Sequence, residues 1–331
     1  MKAAFVVLFA LLFAGCGIKD ETVPTEFAKE LPRLAATPLP KLNLRHDTLL
    51  ESQFAEIAAQ AEGRVGVSAV LLETDDTAEL NGDAQFPMQS VYKLPIAMTV
   101  LYADAHGGVP LSKKVAVTPS DFVRAGVRSP IRNEFPQGGE FTIRELLAQA
   151  ISESDGTASD VLLQLAGGPS GVMNYLTQLG IRDMTVADSE KTIFRDWDTQ
   201  YRNSASPRAT VELLRALQFG AGIAPETRGE LLYLMKSSGP GHRRLKKLLP
   251  KDVEVAHKSG TGGTKAVQMP SPGPSPQIIA SSTNDAGIIY LPNGKHILIA
   301  VYVSDSTAPG FIREKTIAEI SKAVWDRWSG Q

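Results

Sequence analysis

Apolar residues recur at three- and four-residue intervals in several segments of the chain, which is the spacing of amphipathic helices. Ser, Thr or Asp stands near the start of several of these segments, as helix N-caps do. The predicted helices are Leu49–Ala61, Val91–Tyr102, Ile143–Ser152, Ala158–Leu165, Gly171–Leu179, Pro207–Leu217, Pro225–Met235 and Gly310–Trp328.

Alternating or continuous apolar runs predict strands near both ends of the chain. The predicted strands are Arg64–Thr74, Ala78–Leu80, Val253–His257, Ala286–Leu291 and His296–Val303. The sequence Pro-Asn-Gly-Lys between the last two is typical of a hairpin turn. The Pro-rich segment Pro270–Pro276 has no period and predicts a surface excursion.

Strands at both ends with helices between them predict one antiparallel sheet built from the two terminal parts of the chain. The fold class is therefore α+β, a sandwich of sheet and flanking helices with an inserted all-helical domain. We expect residues 42–86 and 237–331 to form the sheet domain and residues 87–236 to form the helical domain. Functional sites often lie at such a boundary.

The N-terminus predicts a targeting segment rather than part of the fold. Lys2 precedes the apolar run Ala3–Ala14, which is too short to span a bilayer and has the size of a signal-peptide core. Small residues then precede Cys16, as at a bacterial lipoprotein processing site. We interpret residues 1–15 as a lipoprotein signal peptide, Cys16 as the lipidated residue and residues 16–41 as a tether. The alternative is an ordinary signal peptide with an incidental cysteine.

Charge and cysteine content exclude several classes of function. The net charge is −2 over 331 residues, which does not favour binding to nucleic acid. Cys16 is the single cysteine, so the mature domain would have no disulfide. The five histidines are scattered, and we therefore expect no metal site and no cofactor.

Three short motifs carry candidate chemistry. Ser90 precedes Lys93 by three residues, which places both on one helix face, where a desolvated lysine can accept the serine proton. The alternative is a helix-start serine and a solvated lysine. Ser154-Asp155-Gly156 offers a second hydroxyl for proton relay, or simply a helix N-cap.

The third motif ends an apolar strand and comprises Lys258, Ser259, Gly260 and Thr261. Its lysine and hydroxyls can hold a carboxylate, and the Thr261 backbone N–H can stabilise an oxyanion. The alternative is a Gly-rich turn.

In this order the motifs resemble S-x-x-K, S-D-N and K-T-G of class A β-lactamases and penicillin-binding proteins. The resemblance covers about Leu49 to Trp328. It implies a monomeric serine hydrolase that opens a β-lactam ring through an acyl-enzyme on Ser90. Lys93, or Glu190 through a water, would take the Ser90 proton, and Ser154 would pass a proton to the ring nitrogen.

A loop glutamate separates β-lactamases from transpeptidases in this family, because it activates the deacylating water. Glu190 lies 36 residues after Ser154, where that glutamate is expected, and its surroundings resemble an extended-spectrum class A subgroup. The alternative is an exposed loop acid. Arg244 lies 14 residues before Lys258 and is either a substrate-carboxylate ligand or a surface arginine.

Two positions depart from the family pattern. Gly156 stands where an asparagine usually contacts the substrate's acylamino group, so we expect weaker or broader substrate binding there. Phe194 stands four residues after Glu190, where a polar residue usually helps to hold the water. The alternative functions are a penicillin-binding DD-peptidase and a sensor lipoprotein that acylates without turnover, which Phe194 favours.

Overall fold

The computed structural model describes residues 43–267 and 277–330. The expectations for Cys16, for residues 1–15 and 16–41, and for the excursion at Pro270–Pro276 fall outside those residues.

Most helices of the described residues lie where the pattern predicts them, whereas the short helices Pro130–Glu134 and Glu190–Ile193 are not predicted. The helices are α1 (Thr48–Ala58), α2 (Lys93–Ala105), α3 (Pro130–Glu134), α4 (Ile143–Ser152), α5 (Gly156–Leu165), α6 (Gly168–Gln178), α7 (Glu190–Ile193), α8 (Pro207–Phe219), α9 (Pro225–Lys236) and α10 (Gly310–Trp328). Helix α4 shows why the pattern holds. Its N-cap Thr142 accepts a hydrogen bond from the Glu145 N–H, and the Glu145 carboxylate accepts one from the Thr142 N–H.

The strands include several that the sequence pattern does not predict. They are β1 (Arg45–His46), β2 (Arg64–Leu71), β3 (Asp76–Leu80), β4 (Phe86–Pro87), β5 (Lys114–Val117), β6 (Gly139–Thr142), β7 (Met184–Thr185), β8 (Ser204–Ala205), β9 (Val255–Thr261), β10 (Thr264–Val267), β11 (Gln277–Tyr290) and β12 (His296–Ser306).

One large sheet joins the two terminal parts of the chain, as predicted. Its order is β1-β3-β2-β12-β11-β10, and β9 also pairs with β11, so β9 and β10 follow one another along the same edge. All pairs are antiparallel except β1 with β3. The sheet lies between two helical layers, and an apolar core fills each interface.

Helices α1 and α10 cover one face of the sheet, where Phe54 and Trp328 are fully buried. The longer helical region covers the other face. Within it, α8 contacts the sheet directly, because the Thr210 hydroxyl bonds the Tyr302 hydroxyl of β12 at 2.8 Å.

The helical region is not purely helical. Strands β5 and β6 form a small hairpin-like sheet inside it, and β4, β8 and β7 form another. These strands have two to four residues each, too few for an alternating pattern to stand out in the sequence. The boundary between the sheet domain and the helical domain, after residues 86 and 236, stays a prediction.

Candidate active site

Ser90 lies in a tight 3-10 turn, Gln89–Tyr92, that leads into α2. Gln89 has a positive φ of 48°, a conformation that costs free energy and needs support from its surroundings. That support comes from β11, where the Asn284 side-chain amide donates to the carbonyls of Pro87 at 2.7 Å and Met88 at 3.1 Å. The sheet thereby fixes the backbone that presents Ser90.

Gly260 of β9 packs directly against the same turn. A Cβ atom at this position would lie 2.4 Å from the Met88 carbonyl oxygen and 3.2 Å from the Ser90 nitrogen. The absence of a side chain therefore lets the edge of the sheet approach the nucleophile, as the small residues of the third motif suggest.

Lys93 is buried, with 2% of its surface exposed, so the alternative of a solvated lysine is wrong. Its ammonium group lies 3.0 Å from the Glu190 Oε1 atom and donates to the Ser154 carbonyl at 2.8 Å. It also lies 3.4 Å from the Ser154 Oγ atom. A buried charge needs such partners, and here all of them belong to the predicted site.

Ser154 also has a positive φ, of 59°, and connects α4 to α5. The N-cap of α5 is Asp155, whose carboxylate accepts from the N–H groups of Ala158 at 2.9 Å and Ile131 at 2.7 Å. Because Asp155 caps the helix, the Ser154 hydroxyl is available to the site, where it accepts a hydrogen bond from the Lys258 ammonium at 3.0 Å.

Lys258 is fully buried on β9. Burial lowers its pKa well below the usual range of a lysine, and the nearby Lys93 charge lowers it further. The amino nitrogens of two lysines thus flank the Ser154 hydroxyl, one from α2 and one from the sheet edge.

Glu190 is buried, with 4% of its surface exposed, so the alternative of an exposed loop acid is wrong. It begins the one-turn helix α7, and its carboxylate reaches Lys93. The α7 backbone is held by Asp160 of α5, whose carboxylate accepts from the Glu190 N–H at 2.6 Å and the Lys191 N–H at 3.0 Å.

These groups open onto a cleft of about 240 Å³. Its lining is Ser90, Lys93, Gly126, Val127, Arg128, Ser154, Glu190, Phe194, Pro240, Ser259 and Thr261. The candidates Ser90, Lys93, Ser154, Glu190, Ser259 and Thr261 therefore share one cavity, and Lys258 reaches it through Ser154.

Arg244 lies just behind this lining, 5% exposed, so the alternative of a surface arginine is wrong. It donates to the Thr261 hydroxyl at 2.6 Å and to the carbonyls of Gly260 at 2.8 Å and Asn284 at 2.7 Å. Glu314 of α10 lies 3.5 Å from its Nε atom. The guanidinium group thus joins β9 to β11 and contacts a hydroxyl that faces the cleft.

Gly156 is outside the cleft lining. A Cβ atom there would lie 3.2 Å from Val127 Cγ1 and 3.3 Å from the Arg128 carbonyl oxygen. The loop before α3 therefore occupies the direction in which a side chain would point. Val127 itself lines the cleft, and the expectation that position 156 contacts the substrate stays a prediction.

Phe194 ends α7, and its ring lines the cleft beside Glu190. The Arg124 guanidinium carbon lies 5.8 Å from the centre of that ring. An apolar group therefore stands where the family pattern has a polar one.

Two residues of the site were not predicted. Asp160 holds α7, and the fully buried His257 bonds Asp285 at 2.8 Å behind β9. The segment Thr283-Asn284-Asp285 resembles the family subgroup in sequence and is expected to have a structural role, and Asn284 holds the Ser90 turn. For Asp160 the signal was a carboxylate among the apolar residues of a predicted helix. Buried acids of that kind need a partner, and this one finds backbone N–H groups.

Within the described residues no cluster of three or more His, Cys, Asp or Glu side chains could hold a metal ion. No helix in the same residues is both long and apolar enough to cross a membrane.

Comparisons with known proteins agree on one family. The model of the β-lactamase enzyme family matches residues 49–328. The chain is 37% identical to β-lactamase VEB-1 of Pseudomonas aeruginosa, over 80% of this chain and 85% of that protein. It is 32% identical to the extended-spectrum β-lactamase PER-1 of the same organism, over 84% of this chain and 86% of that protein.

Solved structures agree in fold. A β-lactamase from Chitinophaga pinensis superposes with a TM-score of 0.78 at 38% identity, covering 84% of this chain and 99% of that one. The extended-spectrum β-lactamase TLA-1 superposes with a TM-score of 0.79 at 35% identity, covering 85% and 99%. With this fold, this site and these relatives, the chain belongs to the β-lactamase enzyme family and is a class A serine β-lactamase.

Proposed function

We propose that Ser90 is the nucleophile that opens the β-lactam ring and that Glu190 activates the water that releases the product. The observation that carries this proposal is the contact of Lys93 with both Glu190 and Ser154 in the cleft that Ser90 lines. One buried cluster thus offers a base and a proton relay beside the nucleophile.

In the acylation step Ser90 Oγ attacks the lactam carbonyl carbon and gives its proton to a base. That base would be Lys93 in its neutral amine form, after its ammonium group has passed a proton to Glu190, or it would be the Glu190 carboxylate acting through a water. Both groups line the cleft with Ser90, and their side chains lie 3.0 Å apart. When the C–N bond breaks, Ser154 donates a proton to the departing ring nitrogen. Lys258, which donates to the Ser154 hydroxyl, and Lys93 favour the return of a proton to that oxygen.

The carbonyl oxygen gains negative charge in this step, and the backbone N–H groups of Ser90 and Thr261 would stabilise it, an effect typically worth about 3 kcal/mol. Lys258, Ser259 and Thr261 would hold the substrate carboxylate, and Gly260 allows that approach. Arg244 contributes through its hydrogen bond to the Thr261 hydroxyl rather than from the cleft lining itself.

In the deacylation step a water gives a proton to Glu190 and attacks the ester carbon. The bond from that carbon to Ser90 Oγ then breaks, and the proton held by Glu190 returns to Ser90 Oγ. The Phe194 ring beside Glu190 offers no hydrogen bond to that water, so deacylation would be the slower step. The Glu190 carboxylate nevertheless reaches Lys93 from inside the cleft, which favours turnover over a sensor that stays acylated.

Glu190→Gln tests the proposal most directly. A glutamine keeps the shape of the side chain but cannot accept the proton of water. With a chromogenic cephalosporin, we expect the wild-type enzyme to turn over continuously and the variant to give one stoichiometric burst, with the acyl-enzyme visible by mass spectrometry. Unchanged turnover would remove Glu190 from the mechanism. A wild-type protein that stops after one burst would instead favour the sensor or the DD-peptidase, which peptide substrates would separate.

We further propose that the enzyme acts in the cell envelope as a lipid-anchored, periplasmic monomer, where β-lactam hydrolysis confers antibiotic resistance. The basis is the N-terminal pattern that ends at Cys16. Cys16→Ser should move the activity from the membrane fraction to the soluble periplasmic fraction. An unchanged distribution would contradict the anchor.

A further inference from the structure

Tyr92 carries a buried phenol that the proposed mechanism does not use. It ends the Gln89–Tyr92 turn and lies directly before Lys93, so the segment that presents the nucleophile also places this ring. The side chain is fully buried, and its hydroxyl oxygen forms no hydrogen bond with any residue that the structure describes. A buried hydroxyl without a partner costs free energy, because it has lost its hydrogen bonds to water and gained none in return.

Two hydrogen-bond acceptors lie beside the Tyr92 hydroxyl, the Ser159 hydroxyl of α5 and the Glu190 carboxylate of α7. Burial raises the pKa of Tyr92 well above its usual range, and the negative charges of Glu190 and Asp160 raise it further. The phenol therefore keeps its proton and is available as a donor. Ser159 is also buried, and its hydroxyl likewise has no hydrogen-bond partner in the described part of the chain.

Glu190 is the acceptor that the phenol should favour. A hydrogen bond to an ionised group is stronger than one to a neutral hydroxyl such as that of Ser159. Asp160 is less available, because each of its carboxylate oxygens already accepts a backbone N–H of α7. The charged groups that face Glu190 are Lys93 of α2, Asp160 of α5 and Lys258 of β9. Lys93 lies 3.0 Å from Oε1, and a carboxylate has further lone pairs for a second donor.

We propose that Tyr92 is a positioning residue that restrains Glu190, because its phenol donates a hydrogen bond to the Glu190 carboxylate during turnover and competes there with the deacylating water. This inference rests on the proposed role of Glu190. The phenol keeps its proton throughout. Its hydrogen bond favours the ionised carboxylate over the neutral acid that forms when Glu190 takes the proton of water, so Glu190 becomes a weaker base.

Tyr92→Phe tests the proposal, because it removes only the hydroxyl. The lifetime of the acyl-enzyme with a chromogenic cephalosporin gives the deacylation rate directly. We expect that rate to rise about three- to tenfold at pH 7.5, since Glu190 is freed from one hydrogen bond to a charged acceptor. We also expect the acid midpoint of the kcat profile to move to higher pH, because the ionised form of Glu190 has lost a donor. Loss of a merely structural contact would produce neither change.

A second measurement shows whether the phenol acts through Glu190. In the Glu190→Gln background the base is absent, so adding Tyr92→Phe should leave the lifetime of the trapped acyl-enzyme unchanged. The burst amplitude counts the folded, acylation-competent enzyme in each preparation, so a loss of folded protein does not imitate a change in rate.

Tyr302→Phe is the matched control. Tyr302 is also fully buried, but its hydroxyl bonds the Thr210 hydroxyl at 2.8 Å, and the residue is outside the cleft lining. We expect this variant to keep the wild-type deacylation rate and acid midpoint and to unfold at a lower urea concentration. Tyr92→Phe should not lower the urea midpoint, because the hydroxyl that it removes has no partner in the resting enzyme.

Two results would overturn the inference. One is a deacylation rate in Tyr92→Phe that equals or falls below that of the wild type. The other is a rate increase of the same size in the Glu190→Gln background. Failure of the proposed function is distinguishable, because then Glu190→Gln alone would turn over like the wild type, or the wild type would show no continuous turnover.

Discussion

Close backbone packing and one side-chain amide hold the wall of the cleft that presents Ser90, whereas hydrogen bonds from several polar side chains hold the wall that presents Glu190. We call the first the nucleophile wall, comprising the Gln89–Tyr92 turn and β9, and the second the loop wall, comprising residues 186–203. In the nucleophile wall, Gly260 lies against the Ser90 turn, and Asn284 fixes the carbonyls before it.

In the loop wall the hydrogen bonds come mainly from Asp160, Asn203 and Asp196. The Asn203 amide oxygen accepts from the N–H groups of Ala187 and Asp188, and Asp196 accepts from the Thr199 N–H. This difference implies that acylation and deacylation are sensitive to different kinds of substitution. Acylation depends on close packing that an added side chain would disrupt, whereas deacylation depends on hydrogen bonds that the loss of one polar group or the gain of one proton can remove.

The largest effect should come from crowding the nucleophile wall. Gly260→Ala would place a methyl group 2.4 Å from the Met88 carbonyl oxygen, so the backbone around Ser90 must move. We expect kcat/KM for a chromogenic cephalosporin to fall about 100-fold or more. Gly263→Ala is the control, since no atom lies within 4 Å of a Cβ there. A Gly260→Ala enzyme that acylates at the wild-type rate would show that this wall is more compliant than its packing indicates.

A smaller effect should appear in the pH dependence of the unfolding free energy. It comes from Asp160, which holds the loop wall. The pKa of Asp160 is raised in the folded protein to about 6, from 3.8 in the unfolded chain, so the folded state binds this proton more tightly. The stabilisation that protonation gives is complete below pH 4 and is lost as the pH rises to about 6. The loss amounts to roughly 1–3 kcal/mol, at about 1.4 kcal/mol per pKa unit.

Urea unfolding from pH 4 to 7 measures this loss, with Asp160→Asn as the reference protein. The difference in unfolding free energy between wild type and variant should decrease across that range and stay level above it. A difference that is constant with pH would mean that Asp160 ionises as easily in the folded protein as in the unfolded chain.

The smallest effect should come from Phe194. Phe194→Asn places an amide beside Glu190 that can hydrogen-bond the attacking water, so we expect kcat to rise by roughly three- to tenfold while kcat/KM changes little. Phe311→Asn, at a position on α10 that is 64% exposed, is the control for loss of a phenyl ring. If kcat is unchanged while acyl-enzyme still accumulates, the ring at position 194 does not limit deacylation.

The sequence predicts the elements whose burial follows a simple period. Helices α4 and α10 have the predicted bounds, because their apolar residues face one core at helical spacing. The three motifs lie at the ends of predicted elements, and residues from each of them share the cleft with Glu190 or contact groups that line it.

The elements that the pattern misplaces are those that build the site. Strand β11 begins at Gln277 rather than Ala286, and β9 continues through Lys258 to Thr261. Most of the added residues are polar, and several of them are buried, including Ser281, Ser282 and Thr283. Polar residues that line a cleft or bond its supports give no apolar period, so the pattern starts β11 too late and ends β9 too early. The hydrogen bonds of the Asp160 carboxylate to α7 were not predicted either, because their donors are backbone N–H groups distant in sequence.

The packing at Gly156 bears on the order in which substitutions could accumulate in this enzyme. Val127 fills the direction of a side chain at position 156, and Val127 is itself part of the cleft lining. An asparagine introduced there first would meet the side chain of Val127 and the Arg128 carbonyl at distances tighter than ordinary contacts. A smaller residue at position 127 would have to come earlier. Substitutions at positions 156 and 127 should therefore not be additive in their effects on the free energy of unfolding, since the two side chains would share one space.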